Sequence, residues 1–446
     1  MTKKLLLVLL FNPVLLVAQK KADRQVATRL EKLMGKLTEG IPQGRRTGTS
    51  GELLAAQLIA TQFQGNGLKP LGKSGDYFQP FSFSEGNEMK NSTFLKINGQ
   101  NIPVAEGFLP LPFSANLEVT GDPIIGIQEQ ESPWIIAIRK IPPGSSKNPR
   151  PLLQLLRNKA KEAVENGATA VIFYSMDTNP SGLRFDPWQS LHPMKVPVFY
   201  IRRKVAGKYF QDESAKVHLE VNVNVGEKIS WGQNVLGYID NHAPYTIIIG
   251  THYDHPGWDP HNPLNHIPGF YQAPPEDNAG GTAALIELTR MLNFPRYRNS
   301  NYLFICFSGE EFGLLGSSYF IRHPTLNLGQ VKYMINLIFP DSLEQSIFPL
   351  EINGIGSSPA WSGIFHQLKD KRLKITLDNA IGHISDQAVF FQEKIPVLAF
   401  HDFPDAYWPH QVHQPGLSME AWPDMLQYLC RMIFLSNRLG KLAFSP

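Results

Sequence analysis

Cysteine is scarce in this chain, whose 446 residues include only Cys306 and Cys430. So few cysteines exclude a disulfide-dense scaffold and a zinc site made of thiolates. Cys306 lies in the apolar run YLFICF, which favours a buried side chain that acts as a small hydrophobic residue. A disulfide between Cys306 and Cys430 stays open, because the sequence gives no distance between them.

Net charge is also low, at +3, while 42% of the residues are hydrophobic and 18% are charged. A strongly basic chain would favour nucleic acid or a membrane surface as a partner. We therefore expect a globular protein that binds no nucleic acid. The oligomeric state is not predicted.

A hydrophobic run long enough for a membrane span is missing from the start of the chain. The run LLLVLLFNPVLLVA has 14 residues and is interrupted by Asn12 and Pro13. It follows the basic segment MTKK and precedes the polar segment QKKADRQ, which is the pattern of a secretory signal peptide. We expect residues 1–18 to be removed and the mature chain to be exported, to the periplasm or the extracellular space, with no transmembrane segment.

The length of the chain predicts two domains rather than one. A smaller α/β unit is expected over residues 109–225, inserted between residues 23–108 and 226–446 of a larger one. In the larger unit, apolar strands such as YTIIIG and NYLFICF alternate with helices such as AGGTAALIELTRML. This alternation predicts an α/β fold with a mostly parallel central sheet flanked by helices. Ligands bind such sheets at the carboxyl ends of the strands.

Two polar clusters follow predicted elements of the larger unit. In GTHYDH, His252 and Asp254 come just after a strand, and their spacing of two lets both side chains face the same way. A ligating histidine commonly has a carboxylate on its other ring nitrogen. In PPEDNAGG, Asp277 stands at a helix start, where it is either a helix cap or a ligand.

Two further clusters add carboxylates and histidines. In FSGEEFG, Glu310 and Glu311 follow a strongly apolar strand, so one could bind a metal while the other acts as a general base. In AYWPHQVHQPG, His410 and His413 lie in a loop near the end of the chain. Each cluster alone has an ordinary structural explanation, but together their nitrogen and oxygen donors suit zinc or a similar metal.

The segments GTHYDH, EDNAGGTAALIELTRML, SGEEFGLLGSSYF, MINL, SDQAVFF and IPVLAF together resemble the secreted aminopeptidases with two co-catalytic zinc ions, of the aminopeptidase S and aminopeptidase Y type. The glutaminyl cyclases have a similar fold. Within residues 109–225, the segments IIAIRKIPPG, KAKEAVENGATAVIFYS and VPVFYI resemble the protease-associated domain that is often inserted in these enzymes. The resemblance implies a zinc-exopeptidase fold for residues 23–108 and 226–446.

The resemblance also implies a role for each site residue. Glu310 corresponds to the general base, and Asp254 to the acid that orients the first-zinc histidine. The implied metal ligands are His252, Asp277 as the bridge between both zinc ions, Glu311 and His410. His413 is the alternative to His410, since the chain has YWPHQVH where the family usually has Tyr-His-Thr.

Ile338 departs from the family pattern. Family members usually continue MINL with an aspartate, which is the remaining ligand of the first zinc, and in this chain that position is Ile338. The first zinc then keeps two ligands, His252 and Asp277, whereas the second keeps three and an open position. Asp341 lies about 10 Å further along an extended chain and is a weak substitute. The sequence therefore leaves one or two zinc ions open.

Three functions follow from these residues. The first is a secreted metal-dependent aminopeptidase that removes residues from peptide or protein N-termini, with Glu310 as the general base. The second is a cyclase with one zinc ion, in which the amine of the substrate attacks its own side-chain amide. The third is a homologue with impaired catalysis that binds a peptide or a partner. The preferred N-terminal residue and the role of the inserted domain are not predicted.

Overall fold

The structure is a computed structural model that describes residues 13–41, 44–145, 148–176, 183–189, 191–255, 278–339, 350–382, 384–401 and 421–446. In this part of the chain, no helix has the length and apolar character needed to span a membrane.

The helices and strands of the described residues are numbered in chain order. The helices are α1 (Pro13–Thr38), α2 (Ser50–Gly65), α3 (Arg150–Glu165), α4 (Arg203–Tyr209), α5 (Ala279–Met291), α6 (Leu315–Arg322), α7 (Ala360–Gln367), α8 (Gln387–Gln392) and α9 (Trp422–Ser436). The strands are β1 (Lys69–Pro70), β2 (Phe78–Met89), β3 (Phe94–Ile97), β4 (Gln100–Ile102), β5 (Phe108–Pro110), β6 (Leu117–Gly121), β7 (Pro133–Ala137), β8 (Ala170–Tyr174), β9 (Val198–Ile201), β10 (Leu219–Val223), β11 (Val225–Ile239), β12 (Thr246–His252), β13 (Asn301–Phe307), β14 (Val331–Ile338), β15 (Leu350–Asn353), β16 (Ile375–Leu377) and β17 (Val397–His401).

The chain divides into two compact units. Unit 1 comprises Met1–Phe83 and Trp231–Pro446, and unit 2 comprises Ser84–Ser230. Unit 2 thus begins at Ser84, whereas the sequence placed its start at residue 109. The difference arises because β3 pairs with β10 and with β4, so the segment containing β3 and β4 is part of a sheet of unit 2.

The sheet of unit 1 confirms the predicted α/β class with a mostly parallel centre. Among the described strands the order is β1-β11-β13-β12-β14-β17-β15-β16, with β2 also paired to β11. The four central strands β13, β12, β14 and β17 are mutually parallel. Antiparallel pairs join β11 to β13 on one side and β15 to β17 on the other. The carboxyl ends of the four central strands therefore meet at one edge.

Both faces of this sheet are buried, and successive residues of each strand contribute to opposite faces. Ile247 and Ile335 belong to the core on one face, which also contains residues of α1, α2, α5, α7 and α9. Ile248 and Met334 belong to the core on the other face, together with Phe320 of α6 and with Phe390 of α8. Both cysteines are free and buried in the first of these cores, so the predicted burial of Cys306 is confirmed.

The described strands of unit 2 form two four-stranded sheets. In the order β4-β3-β10-β6 all pairs are antiparallel, whereas in β5-β9-β8-β7 the strands β7, β8 and β9 are parallel. Leu95 and Val221 of the first sheet share a core with Ile172 of the second. On the other face of the second sheet, Val171 packs with Leu156 of α3.

Candidate functional site

Four residues stand level with one another at the carboxyl edge of the central strands. His252 is paired in register with Phe307, and Ile338 is paired with His401. The β12–β14 register, extended by two residues beyond its last pair, places His252 beside Ile338. Residues level in adjacent parallel strands project to the same face, so all four lie on the side of the sheet covered by α6 and α8.

The imidazole of His252 is completely buried and held by the residue two positions later. Its Nδ1 lies 3.3 Å from the backbone carbonyl oxygen of Asp254 and 3.7 Å from carboxylate oxygen Oδ1 of the same residue. A carbonyl oxygen can only accept a hydrogen bond, so this contact requires the proton to be on Nδ1. Nε2 then carries the lone pair that a metal ion would bind.

The Asp254 carboxylate joins the ends of two neighbouring strands. Its Oδ1 accepts the backbone N–H of Glu310 at 3.2 Å, and its Oδ2 accepts that of Glu311 at 3.4 Å. The Thr47 hydroxyl donates to Oδ2 at 3.1 Å. Asp254 therefore positions both the His252 ring and the loop that carries the two glutamates.

The loop after β13 presents Glu310 at the same edge of the sheet. Gly309 precedes Glu310 with a φ of +73°, and a Cβ atom at Gly309 would lie 2.9 Å from the Cβ of Leu315. Only glycine tolerates this combination of backbone angle and close approach. The Glu310 side chain is buried, whereas Glu311 is half-buried. The structure thus brings together four of the predicted site residues, His252, Asp254, Glu310 and Glu311.

Glu52 is a supporting residue that the sequence analysis missed. One of its carboxylate oxygens accepts the Ser308 hydroxyl at 2.6 Å and the backbone N–H of Gln233 at 2.9 Å, and the other accepts the N–H of Gly48 at 2.7 Å. Burial raises the pKa of Glu52, and these hydrogen bonds partly oppose the rise. The spacing Thr49-x-x-Glu52, a helix-start signature, could have identified it.

Asn278 is a second residue that the sequence analysis passed over. It precedes α5 in the left-handed region, with a φ of 52°. Its amide nitrogen donates to the His252 carbonyl at 2.9 Å and to the Thr251 hydroxyl at 3.0 Å. Its amide oxygen accepts the N–H of Phe339 at 2.8 Å. Asn278 thereby ties the end of β12 to the end of β14.

The other predicted residues lie outside the described part of the chain. They are Asp277, His410, its alternative His413, and Asp341. Among the residues that are described, no set of three or more histidine, cysteine, aspartate or glutamate side chains is grouped closely enough to hold a metal ion.

Asp386 is a third residue whose role the sequence did not suggest. It directly precedes α8 and is completely buried. Within the described residues, no hydrogen bond of ordinary geometry reaches either of its carboxylate oxygens. The Ser317 hydroxyl donates to the Leu314 carbonyl at 3.3 Å and lies near enough to the Asp386 carboxyl to lower its pKa. Burial, and then the negative charge of Glu310, raise the pKa of Asp386 well above its usual range.

The residues at this edge fit a zinc ion by their chemistry. The His252 ring is held in the tautomer that leaves Nε2 for a metal, and carboxylates stand beside it. Imidazole nitrogen and carboxylate oxygen are ordinary zinc ligands. The Asp386 carboxyl, which lies near Glu310 and His252, is completely buried, and a cation would compensate the cost of burying its charge.

Part of the chain is similar to known peptidases. Residues 234–419 match the model of Peptidase family M28. That range contains every predicted site residue. The curated relative "Aminopeptidase YwaD" of Bacillus subtilis (strain 168) is 27% identical over 187 residues, which are 40% of this chain and 36% of the relative. The chain thus spans about a third of the length of this relative.

Two solved structures are similar over most of their length. An aminopeptidase from Aneurinibacillus sp. strain AM-1 is 21% identical, with 95% of this chain and 98% of that one covered and a TM-score of 0.47. BSAP, a zinc aminopeptidase from Bacillus subtilis, is also 21% identical, with 93% and 95% covered and a TM-score of 0.46.

Proposed function

We propose that this protein is a zinc-dependent aminopeptidase that removes residues from the N-termini of peptides. The observation that carries the proposal is the juxtaposition of His252, Asp254, Glu310 and Glu311 at the carboxyl edge of parallel strands. The match to Peptidase family M28 over residues 234–419 supports the same reaction class.

Each described residue has a role in this proposal. A bound zinc ion would polarise the scissile carbonyl group and lower the pKa of a water molecule. The residues that would hold the zinc ion are His252, through Nε2, and Glu311, through its carboxylate, together with Asp277 and His410. Glu310 takes a proton from the attacking water and returns it to the leaving amine. Asp254 keeps His252 and the Glu310–Glu311 loop in place.

The proposal includes two further features of the chain. Unit 2 is a protease-associated domain, and its small α/β architecture of two sheets and helix α3 supports this assignment. The mature protein is exported after removal of residues 1–18. Protease digestion of intact and of permeabilised cells would separate an exported chain from one that is retained.

A substrate panel tests the proposed reaction. We expect peptides with a free N-terminus to be shortened one residue at a time, N-acetylated peptides to be untouched, and a chelator to abolish turnover until zinc is restored. A peptide that begins with glutamine should lose its first residue. If this peptide instead releases ammonia and keeps its length, the protein is a cyclase. Ile338 favours this alternative, because it stands where a ligand of the first zinc is expected. Zinc binding without turnover of any peptide would indicate the binding homologue.

Replacing Asp254 with asparagine is expected to weaken zinc binding by about 10- to 100-fold, the effect typical of residues that orient a ligand. Both oxygens of the Asp254 carboxylate accept hydrogen bonds, from the Thr47 hydroxyl and from the N–H groups of Glu310 and Glu311. In asparagine an NH₂ group replaces one of these oxygens, and it would face a donor instead of accepting from it. Competition with a chromophoric chelator measures the affinity. Thr47→Val serves as the matched control, because it removes one of these hydrogen bonds and should weaken binding less. Unchanged zinc affinity in Asp254→Asn would show that this carboxylate does not organise the site.

A further inference from the structure

A cleft in unit 1 is lined by residues of α1, α2 and α5, on the face of the sheet opposite α6 and α8. Its volume is about 220 Å³, several times the roughly 30 Å³ that one water molecule occupies in the liquid. Leu30, Leu33 and Ile286, which line it, are buried in the core on that face. None of the described residues that line the cleft belongs to the candidate site, so the cleft is a separate feature of unit 1.

The side chains around the cleft carry an excess of positive charge. The charged residues that line it are four cations, Arg29, Lys32, Lys36 and Arg290, and one carboxylate, Glu287. The whole chain is nearly balanced by comparison, with 42 basic and 39 acidic residues. The local excess therefore does not follow from the composition of the chain, and it favours an anion as the ligand of the cleft.

Three of the cations form one row on α1. Arg29, Lys32 and Lys36 are three and four residues apart, so their side chains project to the same side of the helix. Lys32 and Lys36 are exposed, and within the described residues no carboxylate forms an ion pair with either of them. Like charges at this spacing repel each other and destabilise a helix. An anion bound beside the row would offset that repulsion.

The guanidinium group of Arg29 is held in position by Glu287. Its Nε and Nη2 donate to the two oxygens of the buried carboxylate at 2.9 Å and 2.5 Å, which makes a bidentate pair. Arg290 adds a second guanidinium, with its Nε 3.9 Å from the same carboxylate. Arginine has further N–H donors beyond the two that Arg29 uses, and its side chain is 40% exposed. Arg29 thus presents a fixed, charged donor group to the cleft.

We propose that this cleft binds a phosphate group. A phosphate group carries up to two negative charges and several acceptor oxygens, so a guanidinium and lysine ammonium groups can contact it together. A carboxylate, with one charge and two oxygens, would leave most of the positive excess uncompensated. Inorganic phosphate, a small phosphorylated compound and a lipid headgroup share this chemistry. The proposal does not depend on the proposed peptidase activity.

Isothermal titration calorimetry of the purified full chain with inorganic phosphate, at low ionic strength, tests the proposal. We expect saturable binding to the wild type and binding that is weaker by about tenfold or more in Lys32→Gln/Lys36→Gln, because hydrogen bonds to charged groups contribute that much. Both lysines are exposed and glutamine is a good helix former, so this variant should fold. Lys20→Gln/Lys21→Gln is the matched control. It removes the same charge from exposed positions of α1 that do not line the cleft, and it should bind phosphate as the wild type does.

Two further measurements locate the bound group and identify its source. Lys32→Arg/Lys36→Arg keeps both charges and should retain the binding that the glutamine variant loses. Sedimentation with phosphatidylcholine vesicles, with and without phosphatidic acid, tests the lipid source. Binding to phosphatidic acid that Lys32→Gln/Lys36→Gln loses assigns the cleft to a lipid headgroup, whereas binding of inorganic phosphate alone assigns it to a soluble compound.

Four results would overturn the proposal. The first is a wild type that binds neither inorganic phosphate nor vesicles with phosphatidic acid. The second is phosphate binding of equal affinity in the wild type and in every lysine variant, which would place the bound ion elsewhere, for example at a zinc ion of the candidate site. The third is equal weakening in both glutamine variants, which would reflect net charge alone. The fourth is acetate that binds as tightly as phosphate, since the cleft would then not select a phosphate group.

Discussion

Replacing Glu310 with glutamine is expected to lower kcat for peptide hydrolysis by about a thousandfold while zinc content stays unchanged. The amide has the shape of the carboxylate but cannot take a proton from water. The backbone of residue 310 is held by its N–H group, which donates to Asp254 at 3.2 Å, and that bond does not depend on the side chain. The variant should therefore keep its fold and its metal. Steady-state kinetics on a free N-terminal peptide, with elemental analysis of the same preparation, measure both quantities.

Glu287→Gln is the matched control for the loss of a buried carboxylate. Glu287 is 4% exposed and pairs with Arg29 on the face of the sheet that carries α1 and α5. This substitution should lower the unfolding temperature and leave kcat unchanged. Glu311→Gln provides the opposite contrast, since it should lose zinc as well as activity. If Glu310→Gln hydrolyses peptides at the wild-type rate, Glu310 is not the general base, and the role passes to another group.

The fold was predictable from the sequence wherever burial determines the pattern. The strands β12, β13, β14 and β17 have near-continuous apolar sequences because helices cover both faces of their sheet. The boundary of unit 2 was not predictable in the same way. The segment of β3 and β4 is short and joins the sheet of unit 2 through its pairing with β10, which lies more than a hundred residues later.

The candidate site was predictable where a residue type stands directly after a strand. His252, Asp254 and Glu310 were found because polar residues that follow apolar strands collect at one edge of the sheet. Glu52, Asn278 and Asp386 were missed because their roles depend on contacts distant in the sequence. Asn278 joins β12 to β14, and Asp386 reaches the site only because α8 packs on that face. No local pattern encodes either contact.

Gly281→Ala is expected to destabilise the fold by about 1–3 kcal/mol, although alanine normally stabilises a helix relative to glycine. Gly281 lies in the first turn of α5, where the helix crosses the ends of β12 and β14. An added Cβ atom would lie 2.2 Å from Oδ1 of Asn278, 2.7 Å from the Thr251 hydroxyl and 2.8 Å from the Leu337 carbonyl oxygen. None of these atoms can move freely, since Asn278 Oδ1 accepts the N–H of Phe339 and the Thr251 hydroxyl donates to the Leu337 carbonyl.

The same clash should reduce peptide hydrolysis by about a hundredfold, because a displacement of about 1 Å at an active site has that effect. It pushes on the residues that tie His252 to the end of β14. Gly363→Ala is the matched control, because Gly363 is an exposed helical glycine of α7 with no atom within 4 Å of an added Cβ. It should raise stability by up to about 1 kcal/mol and leave hydrolysis unchanged. Urea unfolding and steady-state kinetics on both variants measure the two effects. Equal behaviour of the two alanine variants would mean that the Asn278 contacts do not hold the strand ends in place, and with them the metal ligands.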